Sequence, residues 1–461
     1  MRRARIGAAG AAAAAALALA AGVALSQEEG EAPPGAQLFL DVSAGLRSTD
    51  NPDRSADAEG SDTAATANIA LSFASETRTQ QLNAVFTTRL ASEQARRDAG
   101  ITDSALRLAY ARQSGASALR FTLRYSEQDN GFELAEDGET GADLKIDQGR
   151  RQNTALGFEL ETGRDAPVGF TLRADASARR FFDTTDPDLT DEDRRALSAA
   201  LRLSLTPTAD LSFTARYADR ETDNARDTAV ENVSYGLGLS VLADPTLRLS
   251  ARISHARTDV TETIGGQRET RTEESPVFAL SAAKERRNGV LNASLVRDLS
   301  GAGARTTLRF GRTLALRNGS LEASAGLTRT DDADIVAVGA LDYAHQLRNG
   351  RLALGFSRSV RTDDDATDVA RTALRLGYST DLNRLSGLRL SADFSSVEEI
   401  GTSGDDEILR GSIGITYVRA LSEDWNLNAG YRHTRVDESD ARAIAENRIF
   451  ATVGRRFNLR P

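Results

Sequence analysis

The chain has 461 residues, with 57 basic and 67 acidic side chains and a formal net charge of −10. This acidic balance argues against a nucleic-acid partner. Cysteine is absent, which excludes disulfides, thiolate metal sites and the lipidated cysteine of a bacterial lipoprotein. No change in composition divides the chain, so one large repetitive architecture is the alternative to several ordinary domains.

Residues 1–26 have the pattern of a secretory signal peptide. A basic start from Met1 to Arg5 precedes a run rich in Ala and Leu from Ala8 to Leu25. The small residues before Gln27 predict cleavage after position 26, and residues 27–36 then form a short periplasmic segment. An uncleaved helical anchor is the alternative interpretation. No later stretch has 18 consecutive apolar residues, which excludes an α-helical membrane protein.

From Gln37 onward apolar residues recur at every second position, which is typical of strands with one apolar and one polar face. Leu38, Leu40 and Val42 begin this pattern, and it continues to the last segment at residues 448–457. We count about 22 such strands, within a range of 20 to 24. The predicted fold class is all-β, a transmembrane antiparallel up-and-down β-barrel over residues 37–461.

The connections between these strands alternate between short and long. Three short ones carry Arg-Asn-Gly, at 287–289, 317–319 and 348–350, and Asn-Gly favours a tight type I′ hairpin in which both residues have positive φ. The longer connections are polar and acidic, at residues 47–65, 127–150, 183–194, 218–229, 258–275, 361–369 and 397–408. Because outer-membrane barrels have short periplasmic turns and long extracellular loops, both termini are expected in the periplasm.

The polar face of the predicted strands is rich in arginine. A soluble sandwich or solenoid is the alternative fold, but its interior is apolar and would not accommodate these side chains. In a barrel these side chains point into the lumen. They favour anions in a water-filled pore, or they form a network with Glu159, Asp175, Glu322 and Asp393 that fills the interior. The predicted lumen-facing residues are Arg107, Arg120, Arg124, Arg173, Arg202, Arg216, Arg252, Arg309, Arg375 and Arg432.

The segment Asn447–Phe457 resembles the closing strand of bacterial outer-membrane β-barrel, porin-like proteins. In such proteins a terminal aromatic residue is part of the signal that the barrel-insertion machinery reads. The resemblance therefore implies that Phe457 is the insertion signal, although four residues follow it here. If Ile449, Val453 and Phe457 face lipid, Arg455 does so as well.

No signature of catalysis, cofactor binding or metal binding is present. His255, His345 and His433 are on separate predicted strands without an acidic or serine motif beside them. The acidic loop runs at 183–193 and 363–368 lack the spacing and the Gly of a calcium loop. We therefore expect no catalytic residue, no metal and no cofactor, and we expect that the protein is not an enzyme.

These features predict an outer-membrane, porin-like passive channel for small hydrophilic solutes, anions among them, in a Gram-negative bacterium. The short segment before the first strand is too small for the plug domain of an energised transporter. A structural or binding barrel is the alternative, with acidic loops that engage exopolysaccharide, lipopolysaccharide cations or a surface partner. The expected partners are outer-membrane lipid, lipopolysaccharide and the insertion machinery; the sequence indicates no oligomeric state.

Overall fold

The structure, a computed structural model, describes residues 36–460 except 59, 93–98, 132–143, 148, 332–334, 364, 401–406, 440 and 441. The predicted signal peptide lies outside the described residues. Among them, no helix is long and apolar enough to cross a membrane. Their strands are β1 Gln37–Thr49, β2 Asp62–Glu76, β3 Gln80–Ser92, β4 Ala99–Ser114, β5 Ser117–Asp129, β6 Arg150–Thr162, β7 Val168–Phe182, β8 Glu192–Thr206, β9 Ala209–Thr222, β10 Thr228–Asp244, β11 Leu247–Ile264, β12 Gln267–Arg286, β13 Gly289–Ser300, β14 Gly303–Leu316, β15 Gly319–Arg329, β16 Ile335–Leu347, β17 Gly350–Thr362, β18 Asp368–Asn383, β19 Ser386–Glu399, β20 Glu407–Ala420, β21 Trp425–Glu438 and β22 Ile444–Arg460.

These 22 strands form one antiparallel sheet that is closed into a barrel. Each strand pairs with the strands before and after it in the chain, and β1 also pairs with β22, from Leu38 with Arg460 to Thr49 with Arg448. The predicted fold and the predicted number of strands are confirmed. The turns after even-numbered strands lie at one end of the barrel, called here the short-turn end. The connections after odd-numbered strands lie at the long-loop end.

Alternation within each strand gives the sheet an apolar outer face and a different inner face. In β10 the residues Tyr235, Leu237 and Leu239 are exposed on one face, while Gly236 and Gly238 lie on the other. Ile253, Ile413 and Ile449, on three other strands, are 63–64% exposed. A soluble monomer rarely exposes apolar surface on this scale, so the outer face is suited to lipid.

One predicted loop is wrong, because residues 258–275 belong mostly to strands. β11 and β12 stay paired from Leu247 with Lys284 to Ile264 with Gln267, and only Gly265 and Gly266 form the turn. The alternation of apolar and polar residues ends in this part of the hairpin, while the backbone pairing continues. The pairing continues because the hydrogen-bond ladder is complete and β-branched threonine favours strands, while the exposed residues 264–272 need no apolar face.

The conformation predicted for the Arg-Asn-Gly turns is also wrong. Leu316 pairs with Gly319, so the two loop residues are Arg317 and Asn318, and neither has positive φ. Negative φ at both positions fits a type I turn, in which Gly is favoured at the fourth position. The Asn318 carbonyl oxygen accepts a hydrogen bond from the Gln346 amide of β16, and the turns at 288 and 349 repeat this contact.

Close approach of the next strand is the reason for glycine in these turns. A Cβ on Gly319 would overlap the carbonyl oxygen of Ala344, and one on Gly350 would overlap that of Ser379. We expect Gly319→Ala to destabilise the barrel by about 1–3 kcal/mol, measured as a lower temperature of heat-induced unfolding in detergent. Gly100→Ala is the matched control, because a Cβ there meets no atom within 4 Å. Equal unfolding temperatures for both variants would contradict this account.

Candidate functional site

The loops identify which face of the sheet lines the interior. Ala366, in the β17–β18 connection, packs against Val230 of β10 and Val260 of β11. Neither β17 nor β18 pairs with β10 or β11, so the contact crosses the inside of the barrel. Val260 lies on the same face of β11 as Arg252, because the two are separated by an even number of residues. Directly paired residues share a face, and the register carries this assignment around the barrel.

All ten predicted arginines lie on this interior face. Three of them are bound to neighbouring groups. Arg120 and Arg173 both form ion pairs with Glu159, at 2.8 Å for Arg120. Arg202 donates hydrogen bonds to three carbonyl oxygens of the β6–β7 turn and to Ser204. The contacts of these three arginines hold neighbouring strands and the β6–β7 turn together, so these residues have a structural role.

Six of the ten arginines form no hydrogen bond or ion pair within the described chain. Each lies five to eight residues from the short-turn end of its strand, at a similar depth in the barrel. Four are exposed and two are half-buried, so the space at this level is open to water. We call this set the arginine belt: Arg124, Arg216, Arg252, Arg309, Arg375 and Arg432.

The residues opposite the belt leave room for the guanidinium groups. Arg216 is paired with Ser198 and Ser234 on its two neighbouring strands. The other belt residues each face at least one Gly or Ala: Ala155, Gly238, Ala279, Gly326, Gly355 and Gly414. Because small neighbours cannot cover the long arginine side chains, the charged groups can extend into the lumen.

On the interior face, like charges also lie opposite each other on neighbouring strands. Arg107 is directly opposite Arg124, and Arg432 is directly opposite Arg448. Such pairs are destabilising, whereas opposite charges at the same positions would stabilise the sheet. Arg448 is also ion-paired with Glu446 at 3.0 Å, which offsets part of the repulsion at that position.

The expected filling network is formed only in part. Of its four predicted carboxylates, Glu159 pairs with arginine, while no ion pair links Asp175, Glu322 or Asp393 to a described residue. Asp393 lies directly opposite Arg375 without an ion pair, and Glu322 lies opposite Asp342, nearer the short-turn end. The middle of the interior is therefore polar and positively charged, and it is not crossed by a salt-bridge network.

At the long-loop end the interior is covered by two loop segments, Leu144–Asp147 and Asp365–Thr367, which we call the cap. Leu144, 2% exposed, packs against Val369 and Val397, on strands far around the barrel from β5 and β6. Ile146 packs against Val436 of β21. Arg410, on β20, donates hydrogen bonds to the carbonyl oxygens of Leu144 and Gly131, at 3.3 and 3.1 Å.

Polar contacts hold the second cap segment in place. Asn224 donates a hydrogen bond to the Asp365 carboxylate at 2.7 Å, and Arg220 donates one to the carbonyl oxygen of Thr362. Arg305 pairs with Asp368 at 3.3 Å, just after the segment. A cavity of about 610 Å³ beside these contacts is lined by arginines of the interior wall, among them Arg194, Arg216, Arg220, Arg305 and Arg361.

Lys145 joins the cap to two other parts of the long-loop end. Its ammonium group lies 2.5 Å from the Asp188 carboxylate and 3.9 Å from that of Glu438. Burial opposes the charged form, but the hydrogen bond to Asp188 and the acidic charges outweigh it and raise the pKa of Lys145 above 10.5. This stabilisation is complete below the unfolded value of about 10.4 and is lost as the pH rises through the folded pKa.

Cap opening at alkaline pH is therefore expected to depend on Lys145. Bilayer conductance of the wild-type protein should be constant through neutral pH and rise only above about pH 10.5. Lys145→Gln should raise conductance at pH 7 and remove most of the alkaline rise. Recording both proteins from pH 7 to 11.5 controls for tyrosine titration, which both share. Identical curves would show that Lys145 does not hold the cap.

Sequence reasoning did not identify the cap. The sequence predicts a long polar, acidic connection at 127–150, although this connection contains Leu144 and Ile146. Two apolar residues separated by one position in an acidic loop are the signal that was available. Among the described residues, no group of three or more His, Asp or Glu side chains is placed to hold a metal ion.

Phe457 and the three histidines lie apart from the arginine belt and the cap. Phe457 is paired with Leu40 on the outer face, and the Arg455 guanidinium lies 4.6 Å from the centre of its ring. The three histidines are on β11, β16 and β21. His433 lies 2.9 Å from the side-chain oxygen of Asn447, and His255 lies 3.6 Å from Glu274.

The comparisons with known proteins agree on the fold alone. No protein-family model matches the chain, and no curated protein is significantly similar in sequence. Solved structures do match: the FrpB iron transporter from Neisseria meningitidis has a TM-score of 0.57 at 9% identity, over 91% of this chain and 82% of that chain. The ferric-catecholate import receptor Fiu from E. coli K12 has 0.53 at 10%, over 91% and 81%. The ferric enterobactin receptor PfeA from Pseudomonas aeruginosa has 0.51 at 9%, over 92% and 81%. The chain thus has the closed 22-stranded fold of an outer-membrane β-barrel.

Proposed function

We propose that the protein is a passive channel of the outer membrane that admits small hydrophilic solutes and prefers anions. The arginine belt is the observation that carries this proposal. Its six guanidinium groups surround the lumen at one depth, without partners among the described residues. In the orientation usual for outer-membrane barrels, the short turns and both termini are periplasmic, and the long loops face the outside of the cell.

The charge of the belt provides the physical reason for anion preference. A ring of unpaired positive charge lowers the free energy of an anion in the pore and raises that of a cation. Arg107 lies on the same face, directly opposite Arg124. Paired arginines such as Arg120 contribute less, because Glu159 cancels their charge.

Conductance across a planar bilayer tests the proposal. The refolded mature protein is inserted into the bilayer, and the reversal potential is measured under a KCl gradient. We expect steady conductance and a reversal potential of the sign given by chloride preference. Silence from a barrel whose folding is verified by circular dichroism and heat-dependent gel mobility would overturn the channel function, and cation preference would overturn the role of the belt.

A binding or structural barrel is the second candidate, and the cap is the observation that favours it. Buried apolar contacts such as that of Leu144 with Val397 close part of the long-loop end. A sealed barrel would be silent as wild type and would conduct only when the cap is disrupted. The two candidates are therefore distinguished by comparing the wild-type protein with a cap variant.

The role of Phe457 in insertion is part of the same proposal. Its ring lies on the outer face of β22, where assembly machinery could reach it before the barrel closes. We expect Phe457→Ala to lower the amount of folded barrel in outer membranes severalfold, measured by heat-dependent gel mobility. Phe213→Ala, at an exposed outer-face site of β9, is the control for loss of an aromatic side chain. An equal loss in both variants would contradict a specific signal.

A further inference from the structure

The Arg-Asn-Gly turns place exposed arginines side by side at the short-turn end. Arg287, Arg317 and Arg348 occupy the β12–β13, β14–β15 and β16–β17 turns, and Arg384 occupies the next one. All four side chains are exposed, and none forms a hydrogen bond or ion pair with a described residue. We call this set of four the basic rim.

Exposed leucines lie beside the basic rim. Leu316 and Leu347 directly precede Arg317 and Arg348, and they are 39% and 37% exposed. Both are on the outer face: Leu316 is separated by an even number of residues from the exposed Phe310 on the same strand, and Leu347 likewise from the outward-facing Tyr343. Leu382 and Leu385 flank Arg384 and are 55% and 50% exposed. Apolar side chains thus meet guanidinium groups at the level where hydrocarbon gives way to headgroups.

Among the described short turns elsewhere, only the β2–β3 turn has an exposed arginine without a partner, Arg78, and it stands alone. The β4–β5 turn has Gly115 and Ala116, and the β20–β21 turn carries Glu423 and Asp424. In the β6–β7 turn, Arg164 is already paired with Glu161 at 2.8 Å. Unpaired positive charge in consecutive turns is therefore concentrated in one sector of the rim, from β12 to β19.

We propose that the basic rim binds the phosphate groups of anionic phospholipids in the leaflet at the short-turn end. Guanidinium groups bind phosphate with paired hydrogen bonds, and their stems can lie along apolar surface while the charge stays in water. Each arginine near a negatively charged membrane surface raises the affinity for that surface by about fivefold. The inference rests on the membrane placement in the proposed function and does not depend on conduction.

Lipid selectivity at the barrel surface tests this proposal. The full chain is refolded into phosphatidylcholine vesicles that contain a trace of spin-labelled phosphatidylglycerol or spin-labelled phosphatidylcholine. Electron spin resonance then gives the relative association of each lipid with the protein. We expect about fivefold preference for phosphatidylglycerol at the rim-adjacent sites, and a value near one for the triple variant Arg287→Gln, Arg317→Gln, Arg348→Gln.

The matched control removes the same charge from the interior, with Arg216→Gln, Arg252→Gln and Arg375→Gln. It should keep the lipid preference of the wild type. No preference in the wild type, or an equal loss in both triple variants, would overturn the proposal, since the latter outcome would reflect net charge alone. The rim variant should retain the wild-type reversal potential, so failure of lipid binding is distinguishable from failure of the channel function.

Discussion

Replacing three residues of the arginine belt with glutamine is expected to abolish most of the anion preference. The triple variant loses three exposed and unpaired charges from the interior wall, by Arg216→Gln, Arg252→Gln and Arg375→Gln. A unit charge on the order of 10 Å from an ion contributes roughly 0.4 kcal/mol in water. Three such charges favour an anion by about 1.2 kcal/mol and disfavour a cation by the same amount, a difference of about 2.4 kcal/mol. Before salt screening, the anion-to-cation permeability ratio should therefore fall by roughly 50-fold.

The measurement should be made at low salt, because screening hides charges beyond about 10 Å at 0.1 M and about 30 Å at 0.01 M. Replacement of the same residues by lysine retains the charge and should keep the selectivity. The rim variant with Arg287, Arg317 and Arg348 replaced serves as the control for net charge. If the glutamine variant has the wild-type reversal potential at both salt concentrations, the belt does not set selectivity.

The second large effect is expected from breaking the cap. Leu144→Asp puts a carboxylate against the apolar side chains of Val369 and Val397. Burial of a charged group among apolar side chains costs roughly 3–5 kcal/mol, and the packing of Leu144 is lost as well. The segment should leave the interior, and single-channel conductance should rise about twofold or more.

Ile264→Asp is the matched control, since Ile264 is 50% exposed at the tip of the β11–β12 hairpin. It adds the same charge at the same end without touching the cap. Arg410→Gln, which removes the hydrogen bonds to Leu144 and Gly131, should raise conductance in the same direction. Conductance that stays at the wild-type level in both cap variants would show that the cap does not limit flow.

The barrel was predictable because its two environments alternate with the strand period. Lipid outside and water inside require apolar and polar residues at successive positions, as in Tyr235, Gly236 and Leu237, and this pattern is visible in every strand. The same alternation placed Arg216 and Arg252 on the polar face. Where both faces meet water, as in residues 264–272, the pattern ends although the strands continue.

The cap and the pairing of the arginines could not be predicted in the same way. Contacts such as Arg410 with Leu144 join residues 266 positions apart, and no local period records them. Direct opposition in the sheet does not by itself decide whether an arginine finds a carboxylate: Arg173 lies opposite Glu159 and pairs, while Arg375 lies opposite Asp393 and does not. The distinction between a structural arginine and a member of the belt therefore emerges only from the folded sheet.

The pairing of β1 with β22 has a consequence for the order of assembly. Every other strand pair is a hairpin between neighbours in the chain, whereas the ion pair of Asp41 with Arg456 joins residues 415 positions apart. Closing a flexible loop of that length costs about 5 kcal/mol in chain entropy. Closure is therefore the slow, late event, and until it occurs the growing sheet has two unpaired edges that can capture other chains. Weakening the seam, for example by Asp41→Asn, would lengthen that vulnerable period while leaving the finished barrel nearly as stable as before.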